Sequence, residues 1–363
     1  MLGDNYAQMK MTTELDLTNY HLPDLTSVDI ESSLTAIDLT ANRLRTIDPR
    51  ILQLQGLRSI NFRQNLLANV SAWSTGECKG ALEDLEFRDN HLSTIPCLQG
   101  FLQLRRLDCS YNQIRNLLPL ADLNSSKLEE LYVANNKVTA IAALSHLTSL
   151  TLLELGSNRI RVIEGIASLT GLQELWLGRN RITNVDGLTT LVNLRRISLQ
   201  SNRLTSMLGL EACTALEELY LSHNGIATLE GLGPLTRLKI LDVSSNRLTA
   251  VDPSALATLT QLEDLWLNDN RIPAIDAALD RVLDPVRHSL TCIYLEGNPA
   301  ASDPQYKRKL VNMLPKLKQL DANFLRAAAE SQQPQWLWFG VQPCPTGCRV
   351  SVAAFLVWVH DVV

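Results

Sequence analysis

Two hydrophobic spacings alternate along this chain. Leu150, Leu153 and Leu155 end in strict alternation, whereas Ile160, Ile163, Ile166, Leu169 and Leu172 recur at every third residue, and Asn158 stands between the two sets. The next stretch, from Leu172, repeats the same sentence: L-x-x-L-x-L-x-x-N-x-I-x-x-I-x-x-I/L-x-x-L-x-x. The alternating part predicts a short strand with one buried face. A spacing of three suits neither an α-helix nor a strand and predicts short 3₁₀ turns, in which residues i and i+3 eclipse. The asparagine side chain both donates and accepts, so it can satisfy backbone groups where the strand ends.

The asparagine recurs at positions 42, 65, 90, 112, 136, 158, 180, 202, 224, 246, 270 and 298, with a spacing of 22 from Asn136 to Asn246. A first, divergent unit, TELDLTNYHL, puts Tyr20 at the asparagine place and makes thirteen repeats. No unit can bury its leucines alone, and stacking neighbours buries them in one continuous core. The fold class that follows is an α/β solenoid of the leucine-rich-repeat kind. It is expected as a curved right-handed superhelix of about 13 repeats of 22 residues, with a parallel concave β-sheet and a convex side of 3₁₀ or short helical returns.

Longer units mark insertions on the return side. Val70–Gly80 reads as a loop, Asp252-Pro253-Ser254 as a helix start, and Asp276–Leu283 as a helix ending before Pro285. The predicted layout is a lead over 1–11, a solenoid over 12–298, a cap over 299–326 and an appended tail over 327–363. In the cap, Asp303-Pro304 opens a helix whose Tyr306, Leu310 and Leu314 share one face while Lys307, Arg308 and Lys309 point outward. The tail breaks from the rest in composition and is expected outside the fold, or else as a membrane- or partner-touching segment. Its Cys344 and Cys348 fall short of a four-ligand metal set.

Composition narrows the function. A net charge of −5 argues against a nucleic-acid binder. Seven cysteines without paired spacings, Cys109 and Cys213 among them in apolar places, together with no apolar leader segment, point to a reducing nuclear or cytoplasmic setting. There is no H-E-x-x-H, no phosphate-binding loop and no nucleophile elbow. No catalytic residue, cofactor or metal site is assigned, and the chain reads as a binding protein, not an enzyme.

The third, fifth and seventh places of each unit point away from the leucines and stack in columns. The fifth-place column contains Asp108, Tyr132, Glu154, Trp176, Tyr220, Asp242, Trp266 and Tyr294, and the third-place column adds Asp264 among several acids. Acidic groups and large aromatics on one surface have the composition of a binding site, and a partner with a basic face is expected. Exposed strand faces also carry polar residues simply for solubility, so a single acid means little by itself, whereas exposed tryptophans mean more.

The 22-residue period, LELGSNRIRVIEGI, LYLSHNGI, LDLTNYHL with its tyrosine, and the cap NPAASDPQYKRKLVNMLPKLKQLDA resemble the leucine-rich-repeat regulatory subunits of protein phosphatase 1, the regulatory subunit 7 family. The resemblance covers about residues 12–326. It implies a non-catalytic subunit whose concave face grips the phosphatase catalytic subunit, with a further inhibitor subunit as a possible third partner, no nucleic acid and no membrane. The contacts it implies are Asp108, Tyr132, Glu154, Trp176, Asp242, Asp264, Trp266 and Tyr294; Tyr220 is added because it continues the column. Arg58-Ser59-Ile60-Asn61-Phe62 is a degenerate match to a phosphatase docking strand, but Ile60 and Phe62 hold core places. The alternative is another intracellular repeat adaptor, such as a spliceosomal A-prime-like protein, although those usually have far fewer repeats.

Overall fold

A computed structural model describes residues 13–325. Fifteen strands form one sheet in sequence order: β1 (Glu14–Asp16), β2 (Ala36–Asp38), β3 (Ser59–Asn61), β4 (Asp84–Glu86), β5 (Arg106–Asp108), β6 (Glu130–Tyr132), β7 (Leu152–Glu154), β8 (Glu174–Trp176), β9 (Arg196–Ser198), β10 (Glu218–Tyr220), β11 (Ile240–Asp242), β12 (Asp264–Trp266), β13 (Cys292–Tyr294), β14 (Gln319–Leu320) and β15 (Asn323–Phe324). Every neighbouring pair is parallel except β14–β15. Register repeats with the sequence, so that Glu154 lies beside Trp176 and Trp176 beside Ser198.

Each ladder asparagine serves its own turn and the one before it. The Asn158 amide donates to the carbonyls of Val133 (2.9 Å) and Leu155 (3.0 Å), while its oxygen accepts from the Val138 N–H (2.9 Å). The side chain therefore satisfies buried backbone groups that the three-residue strands leave unpaired. Among the described residues, the first turn has no predecessor to serve. Tyr20 is accordingly not a ladder residue but lies 65% exposed, and Asn42 bonds back to Leu17 and Leu22. The residue before each asparagine takes a positive φ, as at Ser157 (54°) and Arg179 (55°), which turns the chain off the sheet.

The three-residue spacing corresponds to consecutive turns. In the Leu150 unit the Leu169 N–H donates to the Ile166 carbonyl and the Leu172 N–H to the Leu169 carbonyl. These i→i+3 bonds are spaced three apart, so each closes a separate turn, and most units form no continuous 3₁₀ helix. A glycine of positive φ heads four of these returns, and at Gly165, Gly187 and Gly209 it lets the backbone approach that of the preceding unit; a Cβ at Gly209 (φ +108°) would collide with the Val185 carbonyl.

The insertions depart from expectation in two places. Val70–Gly80 holds two 3₁₀ turns, Ser71–Thr75 and Cys78–Gly80, not an open loop. They carry Trp73 into the core between Phe62, Phe87 and Phe101, at ring separations of 6.0, 5.9 and 6.1 Å. Asp252-Pro253-Ser254 opens turns but no helix; Asp252 caps the Ser254 N–H at 2.7 Å, and a short alanine-rich return cannot repay helix nucleation. The third insertion forms α2 (Ala277–Leu283), after α1 (Pro49–Leu52), with Asp276 accepting from Ala278 and Leu279. The chain then runs on through Pro285 as a 3₁₀ turn, Asp284–Val286, because proline is tolerated in a first helical turn.

The cap contains α3 (Tyr306–Met313), with Leu310 and Leu314 buried. Lys309 does not point freely outward, since its ammonium bonds Asp303 at 2.6 Å. The cap also extends the sheet through β14 and β15. Asp321 lies in register beside Tyr294, and at this sheet edge its carboxylate takes the place of the next strand's backbone carbonyl, accepting from the Leu295 and Glu296 N–H groups and from the Tyr306 hydroxyl. One hydrophobic cluster runs from Leu25 to Leu320. No helix among the described residues is long and apolar enough to cross a membrane. The expected lead and the whole of the expected tail, with Cys344 and Cys348, lie outside the described residues.

Candidate partner-binding face

Pleating sends the leucine at the fourth place inward and the residues at the third and fifth places to the opposite, concave surface. All nine residues singled out from the sequence lie on that surface. Their accessibility is unequal. Asp108 (2% exposed), Tyr220 (5%), Asp242 (2%) and Trp266 (9%) are buried, whereas Tyr132, Glu154, Trp176, Asp264 and Tyr294 are half-buried. The expectation that Trp266 stands exposed is therefore corrected. Strands one hydrogen-bond spacing apart bring long side chains of adjacent columns together, so they cover one another.

Two rings lean together over a small residue. Trp176 and Tyr220 are separated by β9, yet their rings stack at 6.4 Å and 20° above Ser198, which they cover. Trp266 packs edge-on against Tyr294 at 5.7 Å. Acids of the third column orient these aromatics. Glu174 accepts from the Trp176 indole N–H at 3.2 Å, Glu130 from the Tyr132 hydroxyl at 2.9 Å, and Glu218 from the Tyr220 hydroxyl at 3.0 Å. A third-place acid thus fixes a fifth-place ring on its own strand.

Arg106 is the main countercharge at one end of the face. Its guanidinium lies 3.1 Å from Asp84 and from Glu86, 3.4 Å from Asp108 and 3.7 Å from Glu130, and it also stacks on the Tyr132 ring at 5.1 Å. Arg196 bridges Glu174 (2.9 Å) and Glu218 (3.1 Å). These two arginines interrupt an otherwise mostly acidic third-place column, and the register makes them its neutralising centres.

Further along, the carboxylates lack such partners. Burial raises Glu154 to about 7, opposed by the Gly156 N–H that it accepts at 3.0 Å. Burial raises Asp264 to about 6, with Glu263 adding repulsion. Asp242 is raised by burial, against the Ser244 hydroxyl and amide. A basic group brought to this face would restore the charged forms, so the surface favours cations. Ile60 and Phe62 are buried in the core, which removes the Arg58–Phe62 segment as a docking strand. The five described cysteines are free, and Cys109 and Cys213 are buried.

The fold and repeat define the class: this is a leucine-rich-repeat protein. The family model described as "Leucine-rich repeat" matches residues 216–337, and "Leucine Rich repeats (2 copies)" matches 148–190 and 192–234. Among solved structures, a leucine-rich-repeat protein of Leptospira interrogans aligns with a TM-score of 0.67 at 22% identity, covering 79% of this chain and 78% of that one. An internalin of Listeria monocytogenes aligns with a TM-score of 0.61 at 22% identity, covering 87% of each chain. At that identity both show the fold alone.

Among curated proteins, the chain is similar to regulatory subunits of protein phosphatase 1. It is 48% identical over 158 residues to the Arabidopsis thaliana "Protein phosphatase 1 regulatory inhibitor subunit PPP1R7 homolog", covering 43% of this chain and 48% of the relative. It is 53% identical over 38 residues to human "Protein phosphatase 1 regulatory subunit 7", covering 10% and 11%. The chain thus spans about half, or less, of the length of these relatives.

Proposed function

We propose that this chain is a non-catalytic regulatory subunit that binds the catalytic subunit of protein phosphatase 1 through its concave face. The observation that carries the reading is the juxtaposition of half-buried aromatics with underneutralised acids on one continuous sheet, together with the names of the relatives. Tyr132, Trp176 and Tyr294 are the accessible rings, and Glu154 and Asp264 are the carboxylates that a basic partner surface would ionise. Trp266, Tyr220, Asp108 and Asp242 act beneath them as support. The unpaired cysteines favour a reducing nuclear or cytoplasmic location.

The test is a pull-down with purified catalytic subunit, comparing wild type with the Tyr132→Ala, Trp176→Ala double variant. Truncating two interface aromatics is expected to cost about 2 kcal/mol or more and to weaken binding at least about thirtyfold. Undiminished capture by a variant with unchanged circular dichroism sinks the concave-face reading.

A further inference from the structure

The residue that follows each ladder asparagine lies beyond the carboxyl end of its strand, on the rim and not on the concave face. Its N–H donates to the preceding unit, as Arg181 does to the Ile160 carbonyl and Arg203 to that of Ile182, so successive residues stack in register. From the sixth strand onward this column reads Lys137, Arg159, Arg181, Arg203, Gly225, Arg247 and Arg271. Six cations therefore stand roughly one strand spacing apart, over a rim about 30 Å long.

The side chains lean along the rim. The Lys137 ammonium reaches Gln113, its counterpart one unit earlier, at 3.2 Å. The Arg247 guanidinium carbon lies 4.0 Å from where a Cβ on Gly225 would stand, so it closes the one gap in the column. The charge is continuous and unneutralised. Arg106 and Arg196, on the strand face, bridge acids on both sides. The five rim arginines form no ion pair among the described residues, and all but Arg181 are exposed. Like charges at this spacing repel, so folding alone gives no reason to align them.

We propose that this rim docks an extended acidic polypeptide segment, a run of aspartates and glutamates on a partner protein. Guanidinium forks bind carboxylates in bidentate pairs, and a line of forks matches a line of carboxylates. Nucleic acid fits less well. The column contains no aromatic on which bases could stack, and the chain's net charge of −5 disfavours a dense polyanion. Because the rim is not the concave face, an acidic segment can bind while a second partner occupies that face.

The full chain is titrated, by fluorescence anisotropy, into a labelled peptide of about nine glutamates, which spans about 30 Å when extended. Three proteins are compared: wild type; Arg159→Gln, Arg181→Gln, Arg203→Gln; and a control of equal charge change, Arg237→Gln, Lys316→Gln, Lys318→Gln. The expected result is binding that weakens with salt, an affinity loss of about tenfold or more in the rim variant, and about twofold or less in the control. Arg→Lys at the same three positions is expected to bind better than the glutamine variant, since charge is kept while the fork is lost. Four results overturn the proposal: no binding by wild type, equal losses in both glutamine variants, tighter binding of an oligouridylate of matched length, or self-association through the rim in sedimentation.

Discussion

Replacing Arg106 by methionine keeps most of the side-chain stem and removes the charge shared by four carboxylates. The contributions are unequal. Asp84 and Glu130 keep 41% of their side chains exposed, so each of these pairs contributes about 0.5 kcal/mol or less. Glu86 and Asp108 keep 15% and 3%, and water cannot replace the guanidinium there. Breaking a buried pair from one side costs about 3–5 kcal/mol, because the remaining charge is stranded. Arg106 itself is 29% exposed, which puts the expected loss near the lower end, about 3 kcal/mol at neutral pH. The loss must depend on pH. Burial and Asp108 already hold Glu86 above the usual range, and Arg106 pulls it down. Without Arg106 it rises further, so the folded chain holds more protons than the unfolded chain. Stability then falls as pH rises from the ordinary carboxylate value through the raised one. The destabilisation is therefore full above the raised value and shrinks as pH falls back toward the ordinary carboxylate range. Urea denaturation followed by far-UV circular dichroism at neutral and acidic pH measures it. A loss below about 1 kcal/mol at neutral pH, or one that does not shrink on acidification, refutes the assignment of Arg106 as the shared countercharge.

Three further outcomes are expected. Asn158→Ala strands the Val138 N–H in the core and takes one of two donors from each of the Val133 and Leu155 carbonyls, which keep Asn136 and Asn180; it should cost about 2 kcal/mol, with the Val138 amide losing protection from hydrogen exchange. Asn116→Ala removes only an exposed cap on Leu118 and should cost under about 1 kcal/mol. Glu154→Gln should stabilise the free chain above about pH 7 by up to about 3 kcal/mol, and the gain should vanish near pH 5, because burial holds the folded carboxyl at about 7 against an ordinary 4.5. Thermal unfolding of both proteins across that range measures this, and a flat difference contradicts a buried, titrating Glu154.

The ladder, the thirteen repeat strands and their order were legible in the sequence because each is fixed by a local period, whereas β14 and β15 lie in the cap, where the period has ended. The period of three was legible too, but it did not distinguish one helical turn from several separate ones, since both place i and i+3 on the same side. What was hidden depended on contacts between units. Trp73 appears in a polar insertion, and only the neighbouring Phe62 and Phe87, larger than the leucine of most units, hint at the space it fills. Asp321 closes the sheet edge from within the cap, and nothing in KQLD distinguishes it from a surface acid. The positive φ before each asparagine falls on serine, arginine, histidine and aspartate alike, because stacking imposes it whatever the side chain.

The same limit explains the concave face. A column read from sequence assigns one direction to every fifth-place residue, and all nine do face that way. Accessibility is set instead by what stands at the same place one or two units away. Ser198 is small, so Trp176 and Tyr220 close over it; Tyr220 becomes buried, while Trp176 keeps part of its ring in solvent. Cys292 and Tyr294 flank Trp266 and cover it. Truncating Trp266 or Tyr220 therefore tests the fold before it tests binding, and loss of capture after either change would be ambiguous. Tyr132 and Trp176 are held by the carboxylates of Glu130 and Glu174 on their own strands, so removing their rings leaves the leucine core untouched. A binding defect there reports on the face itself.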